Sequence, residues 1–282
     1  MIKNRDVTTS PGLTSWTTDL FMPTYREGEI GDWKIDRGGQ LVHDWGYYTG
    51  PCLVEMLPSL ARKVKSKQNA GSDRWETWMS LTPHEIESQE LGCRFAFGHS
   101  VIMGLGMGWM AANVALNPNV TKVTVVELDP DVITLFANSG ALESLPKSAG
   151  KKIVIIEGDA LQWTPAVTDI VNFLYADIWL HLAEPSTIRQ VRQMQVNVQA
   201  EKVYFWGQEI AIHCAARQHV DSNAKITMEA VKYALDRIIQ LPLLVPGDCD
   251  YIEMIEQVIQ NRIIRGLTTA VDSKLHPSET PN

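Results

Sequence analysis

The residues able to do chemistry fall in a few short segments of the chain. Gly104-Leu105-Gly106-Met107-Gly108 follows the apolar run Val101-Ile102-Met103 and opens a helical pattern. Glycines there allow a tight turn and close approach of backbone to a ligand, and a helix N-terminus favours a polar or anionic group. A second apolar run, from Lys122, ends in Glu127, 19 residues after Gly108. A carboxylate at that strand end can accept two hydrogen bonds from ribose hydroxyls. A third run ends in Glu157-Gly158-Asp159-Ala160, where Asp159 is placed to accept from an exocyclic amine such as that of adenine. A fourth ends in Ala176-Asp177, again a carboxylate at the rim. All of these strand ends open on one crevice, which predicts a site for a nucleoside-bearing ligand. The dinucleotide fingerprint asks for a small residue where this chain has Trp109, which argues against NAD.

Further residues bear on a reaction. For an N–H or O–H acceptor, one base with a near-neutral pKa helps, and Asp177 is the first choice for orienting or deprotonating an amine. His181, four residues on, shares a helical face with Asp177 if a helix begins there. His84 or Glu85 closes the site from the other side, although a packing or surface role competes for each histidine. Trp179 and Trp206 offer ring faces to a cation or planar acceptor, with core packing as the competing role. The stretch Trp206-Gly207-Gln208-Glu209 is also a candidate to face the crevice.

The elements that must position these residues follow from periodicity. Apolar runs at 100–103, 122–127, 152–157, 170–176 and 203–206 alternate with helical patterns at 110–116, 130–137 and about 186–198. That alternation is the mark of a parallel sheet covered on both faces, with right-handed crossovers. The fold class is therefore α/β, a doubly wound, mostly parallel, Rossmann-like sheet. It carries a small N-terminal lobe (1–75) before the ligand-binding domain (76–210) and a helical C-terminal region (211–282). Within the lobe, Glu27-Gly28 and Gly38-Gly39 signal turns of a hairpin-containing unit. Residues 51–68 read as a helix with Arg62, Lys63, Lys65 and Lys67 at its end, a solvated terminus or a phosphate contact. Thr82-Pro83 reads as a helix start, with a cap residue and proline at the first helical position. Residues 226–240 and 251–265 read as helices joined through Pro242, Pro246, Gly247 and Asp248, and the chain ends in a polar tail from Asp272.

Composition narrows the function classes. The 282 residues carry 25 Lys+Arg against 33 Asp+Glu, a net charge of −8, with 45% hydrophobic and 21% charged residues. This is a soluble globular composition with enough chain for a large core, and it excludes a disordered, collagen-like or disulfide-stapled protein. The acidic balance argues against a nucleic-acid partner. Cys52, Cys93, Cys214 and Cys249 stand far apart, with no zinc-type spacing, and read as thiols in a reducing compartment. The polar start of the chain carries no signal peptide, so the expected location is cytoplasmic. Residues 95–121 contain no charged side chain and are long enough to span a bilayer, but glycines, asparagines and Pro118 break the stretch, so no membrane span is expected.

Over about residues 78–180 the chain resembles class I S-adenosylmethionine-dependent methyltransferases, and most closely the spermidine-synthase-like group. The resemblance rests on Val101 to Gly108, on Val125-Val126-Glu127-Leu128-Asp129-Pro130-Asp131-Val132, and on Glu157 to Ala160. It implies that S-adenosylmethionine is the cofactor. It also implies that the Gly turn (Gly104, Leu105, Gly106, Gly108) faces the methionine part of that cofactor, that Glu127 with Leu128 holds the ribose, and that Gly158, Asp159 and Ala160 hold adenine. Asp177 is expected to adjoin the cofactor and to act as the catalytic residue, and His84, Glu85, Trp179 and His181 are expected to line the substrate pocket. The chain departs from the aminopropyl-transferring members in two ways. Met107 replaces an Asp in the turn, and Ile178-Trp179-Leu180-His181 follows Asp177 without the second Asp of a D-x-x-D pair. The usual sixth and seventh strands are also missing from the pattern after Gln208. The expectation is methyl transfer to a small-molecule acceptor. Aminopropyl transfer and a non-catalytic nucleoside-binding role are the alternatives, no metal is involved, and the helical region caps the pocket or builds a homodimer.

Overall fold

A computed structural model describes residues 13–38, 42–55, 58–65, 73–182, 184–220, 224–247 and 250–267. The N-terminal region is built from strands. β1 (Gly28–Ile30) and β2 (Trp33–Asp36) form a hairpin, and β3 (Val42–Trp45) pairs with β4 (Pro51–Val54). β5 (Ser59–Lys65) and β6 (Asp73–Ser80) complete an antiparallel sheet of order β1-β2-β5-β6. The described residues of the helix expected over 51–68 form β4 and β5 instead. Pro58 would fall in its interior, where proline removes a hydrogen bond and clashes with the preceding turn. The basic residues follow the period of two of a strand instead. Arg62 lies over Trp33 and Trp78, at 5.2 and 5.9 Å, while Lys63 lies over Trp75 at 5.0 Å. Lys67 and the second glycine of the Gly38-Gly39 turn lie outside the described residues, as do Asp248, Cys249 and the tail from Asp272.

Helix α1 (Pro83–Phe95) starts where the cap pattern predicts. The Thr82 hydroxyl accepts from the Glu85 amide at 3.2 Å, and Pro83 takes the first turn, where it loses no hydrogen bond. The helix buries several polar side chains, among them Glu85, Glu87, Ser88 and Gln89. Glu87 shows why a charge is tolerated there. Its carboxylate accepts from the Trp16 indole (2.9 Å), the Tyr48 and Thr49 amides (3.1 Å each) and the Thr49 hydroxyl (2.5 Å). It thereby pins the turn between β3 and β4. Glu87→Gln presents an amide NH2 to donors in place of one carboxylate oxygen and is expected to cost about 1–2 kcal/mol of unfolding free energy. An earlier urea midpoint with an unchanged slope would register that loss, and an unmoved midpoint would show that the turn does not depend on this carboxylate.

The parallel sheet comprises β7 (Gly98–Met103), β8 (Val120–Glu127), β9 (Ile153–Glu157), β10 (Phe173–Ala176) and β11 (Lys202–Phe205), in the order β11-β10-β7-β8-β9. All four ladders are parallel. Around them lie α2 (Trp109–Leu116), α3 (Pro130–Asn138), α4 (Lys147–Gly150) and α5 (Thr187–Val198). Numbered along the sheet itself, the strand order is that of a doubly wound Rossmann-like fold, and it reverses at β7. Val101, Met103, Val123, Val125, Phe173 and Leu174 are fully buried, as strands covered on both faces require.

Beyond β11 the chain is helical. α6 (Gln208–Ala216) is followed by α7 (Met228–Tyr233), which runs into a π-helical turn (Ala234–Ile239), and then by α8 (Tyr251–Ile264). Among the described residues no sixth strand joins the sheet. Instead, residues 242–244 run along the free edge of β11. The Val203 amide donates to the Pro242 carbonyl at 3.0 Å, and the Leu244 amide donates to the Val203 carbonyl at 2.7 Å. Glu209 ties the layers together, accepting from the hydroxyls of Tyr47, Tyr204 and Tyr251 at 3.0–3.1 Å. No helix among the described residues is long and apolar enough to cross a membrane. Cys52 and Cys93 are buried free thiols, and Cys214 is buried.

Candidate active site

The strand register brings the sequence-marked residues to one edge. Met103 pairs with Val126 and with Ala176, Glu127 pairs with Glu157, and Ala176 pairs with Phe205. The residues that follow these strand ends, Gly104, Leu128, Gly158, Asp177 and Trp206, therefore stand at one level. The site lies where the strand order reverses, between β7 and β10, as expected for an open α/β sheet.

Three glycines of the turn, Gly104, Gly106 and Gly108, are required by positive φ and close approach. Gly104 has φ +98°, and a Cβ there would strike the carbonyl oxygen of Asp177. Gly106 has φ +52°, and a Cβ there would strike the Met79 sulfur, which also faces the Met107 amide at 3.3 Å. Gly108 precedes α2 and packs on the Phe136 ring, away from the cavity. The bulk of Trp109 is accommodated after all, buried in the core at the first position of α2.

The Glu127 carboxylate is fixed by two backbone donors. Oε2 accepts from the Leu105 amide at 2.8 Å, and Oε1 accepts from the Asp129 amide at 2.9 Å. A carboxylate has roughly four acceptor positions, so two stay available. Asp159 is more occupied locally, taking the Leu161 amide at 2.8 Å and the Gln162 side chain at 2.7 Å.

These groups line a cavity of about 630 Å³, a size typical of small-molecule sites. Its rim and centre include Gly104, Leu105, Gly106, Glu127, Leu128, Asp159 and Ala160. At the far end stand Glu85, Gln89, Tyr175, Asp177, Trp179 and Trp206. The roof is the N-terminal sheet, through Trp33, Leu60, Arg62, Trp78 and Met79. The Trp33 indole donates to Asp129 at 2.7 Å, which latches the roof onto the start of α3.

The far end holds two carboxyl groups, Glu85 buried and Asp177 half-buried. Burial pushes Asp177 up to about 7, although the Tyr175 hydroxyl, donating at 3.3 Å, favours its charged form. Burial and the neighbouring Asp177 raise Glu85 well above the usual carboxylate range, against the Gln89 amide that donates to it at 2.6 Å. Two carboxyls at such close quarters do not both ionise readily at neutral pH.

His84, His181, Gly108 and Gly158 lie outside the cavity lining. His84 packs edge-on against Tyr47, 5.4 Å between ring centres, and burial with the charges of Arg265 and Arg262 lowers its pKa to about 3. His181 is exposed, and its amide donates to Glu184 at 3.3 Å. It shares no helical face with Asp177, because residues 177–182 are not helical and the next helix begins at Thr187, after Pro185. Gln208 and Glu209 face the tyrosine cluster rather than the crevice, whereas Trp206 lines the crevice.

The roof residues Trp33, Arg62, Trp78 and Met79 carry no local sequence signal. Gln89 does carry one, since it lies four residues after Glu85 on one face of α1. Tyr175 carries another, two residues before Asp177 on the same side of β10.

No protein-family model matches the chain. Polyamine aminopropyltransferases 2 and 1 of Ralstonia nicotianae are each 29% identical over 79 residues, which is 27% of this chain. The match spans 16% and 15% of the length of these curated relatives. Among solved structures, Aeropyrum pernix fibrillarin with natively bound S-adenosyl-L-methionine aligns with a TM-score of 0.34 at 14% identity, covering 64% of this chain and 79% of that one. A glycopeptide N-methyltransferase complexed with S-adenosyl-L-methionine aligns with a TM-score of 0.31 at 18% identity, covering 41% and 50%. The activities in these names belong to those proteins.

Proposed function

We propose that the chain is an S-adenosylmethionine-dependent methyltransferase acting on a small-molecule acceptor. The observation that carries this reading is that Glu127 and Asp177, at the ends of the strands on either side of the glycine turn after β7, line one cavity together with Glu85. The residues fit the cofactor. Glu127 keeps two acceptor positions for the vicinal hydroxyls of a ribose, and its orientation is set in advance by two amides. Leu128, Ala160 and Leu161 supply apolar surface for a base, beside Asp159. When bound, the cofactor supplies an electrophilic methyl on a sulfonium that is already a good leaving group.

The protein's share is then alignment, water exclusion and proton management. The roof and the tryptophans enclose the reacting end. Asp177, with a pKa of about 7, is poised to take the proton that a neutral amine or hydroxyl acceptor must lose. Tyr175 holds one of its oxygens, which leaves the other for the acceptor.

Aminopropyl transfer from the decarboxylated cofactor is the second reading, favoured by the 79-residue match to polyamine aminopropyltransferases. Product analysis separates the possibilities. Incubation with labelled S-adenosylmethionine or its decarboxylated form and a panel of amines is expected to yield S-adenosylhomocysteine. Methylthioadenosine instead would establish aminopropyl transfer. Cofactor binding with neither product would leave a nucleoside-binding protein without catalysis. In a companion titration, Glu127→Ala is expected to weaken cofactor binding by about 1.5–3 kcal/mol, the range for a hydrogen bond to a charged group. Unchanged affinity would remove Glu127 from the site.

A further inference from the structure

The far end of the cavity has a composition that narrows the acceptor, and the inference rests on the reading above. Trp206 follows β11, and its amide donates to the Ala176 carbonyl at 3.0 Å. Its indole N–H donates to the Ser88 hydroxyl at 2.8 Å, and that hydroxyl donates to the Glu85 carbonyl at 2.7 Å. Trp179, two residues beyond Asp177, donates its indole N–H to Gln190 at 2.5 Å. Both indole N–H groups are therefore used within the protein. What these rings offer the cavity is carbon surface with a negative π face, held in place by the tethers.

Beneath them, Glu85 is 9% exposed, and only its Oε1 has a hydrogen-bond donor, Gln89. Among the described residues the Asp177 carboxylate has one donor, the Tyr175 hydroxyl on Oδ2. No Lys, Arg or His side chain lines this end among the described residues; the cationic group of the lining, Arg62, sits in the roof over Trp33 and Trp78. Buried carboxyls without a countercharge accept an external cation, and aromatic faces favour one whose charge is only weakly hydrated.

The number of cationic centres follows from the other carboxylates. On the reading above, the open acceptor positions of Glu127 and Asp159 belong to the cofactor, and Asp129 is engaged by Trp33 and the Asp131 amide. Among the described residues no carboxylate besides these, Glu85 and Asp177 lines the cavity. Glu85 and Asp177 line the same cavity and do not both ionise readily, so together they offer one charge and serve one nitrogen.

We propose that Trp179 and Trp206, together with Glu85 and Asp177, form a subsite for a single cationic amine centre, so that the acceptor is an alkyl-substituted monoamine rather than a polyamine. Calorimetric titration of the full chain with two probe pairs tests this. Choline is expected to bind at least about tenfold more tightly than 3,3-dimethylbutan-1-ol, its uncharged isostere, the ratio that a desolvated cation–π contact supplies. That ratio is expected to collapse in Asp177→Asn and to shrink in Trp179→Leu. 1,4-Diaminobutane is expected to bind within a few-fold of butylamine. A choline affinity no better than that of the isostere, no detectable binding of either, or a strong preference for the diamine would each overturn the proposal. S-adenosylhomocysteine is titrated in the same preparations. Its failure to bind, with the amine preference intact, would bring down the cofactor reading alone. Normal binding without the amine preference would bring down this inference alone.

Discussion

Asp177→Asn is expected to be more stable than the wild-type chain at pH 8, by on the order of 3 kcal/mol, while losing turnover by about 100-fold or more. The sign follows from linkage. In the native state burial holds the Asp177 carboxyl at about 7, against an ordinary value of 3.8. Between those values the unfolded chain has released the proton and the native chain still binds it, so native stability falls as pH rises from about 4 to 7. Above 7 the penalty is fully present. An asparagine has no proton to lose and still offers the Tyr175 hydroxyl an acceptor. The variant's advantage should therefore be small at pH 4, grow through pH 5–7 and level off. Urea unfolding of both proteins at pH 5 and pH 8 measures the difference of differences, which cancels the titration of His84 and of other groups remote from Asp177, while the part of the Glu85 shift that comes from the Asp177 charge is released together with it. An advantage that does not change with pH would mean that Asp177 ionises as an ordinary carboxylate, and the proton-accepting role would fall with it. Gaining stability while losing activity is the pattern expected when a site holds a charge-bearing group under strain for function.

Gly104→Ala should remove about 3 kcal/mol or more of stability and abolish cofactor binding. The residue sits at φ +98°, which disfavours any side chain, and the added Cβ would meet the backbone carbonyl of Asp177 rather than a flexible side-chain end. Relief requires the loops after β7 and β10 to separate, and these carry the two ends of the site. Gly158→Ala is the internal control. Its nearest neighbours to a new Cβ are Val126 at 3.5 Å and Trp163 at 3.7 Å, ordinary contacts, and its φ is not in the left-handed range. A change of less than about 1 kcal/mol is expected there. Circular dichroism melts and cofactor titrations on the two variants check the contrast. Equal tolerance at both positions would show that the glycine turn is not held against the Asp177 loop.

The segments that could be recognised without tertiary information share a physical property: their signal is local. Apolar runs such as Lys122 to Glu127 report a strand buried on both faces. Thr82-Pro83 reports a helix start through a hydroxyl and a missing N–H. Glycine between a strand and a helix reports a turn, and carboxylates directly after strands must arrive at a common edge once the strands are parallel. The misread segment, 51–68, shows how such a signal fails. Charges clustered as Arg62, Lys63 and Lys65 look like one helix end, yet on a strand they alternate between the roof of the cavity and the outer face. Pro58 was the local warning.

Residue types and their order along the chain were thus enough to determine the sheet, its glycine turn, and the presence of Glu127, Asp159 and Asp177 at one rim. Tertiary structure alone decided that Trp33, Arg62 and Trp78 roof the cavity, that Glu209 serves three tyrosines, that His84 and His181 stand outside, and that Glu85 and Asp177 line the same cavity. The reason is that burial and charge coupling depend on distances between side chains far apart in the chain. Strand and helix periodicity sets the direction of each side chain, but only the packing of one layer against another sets what it meets.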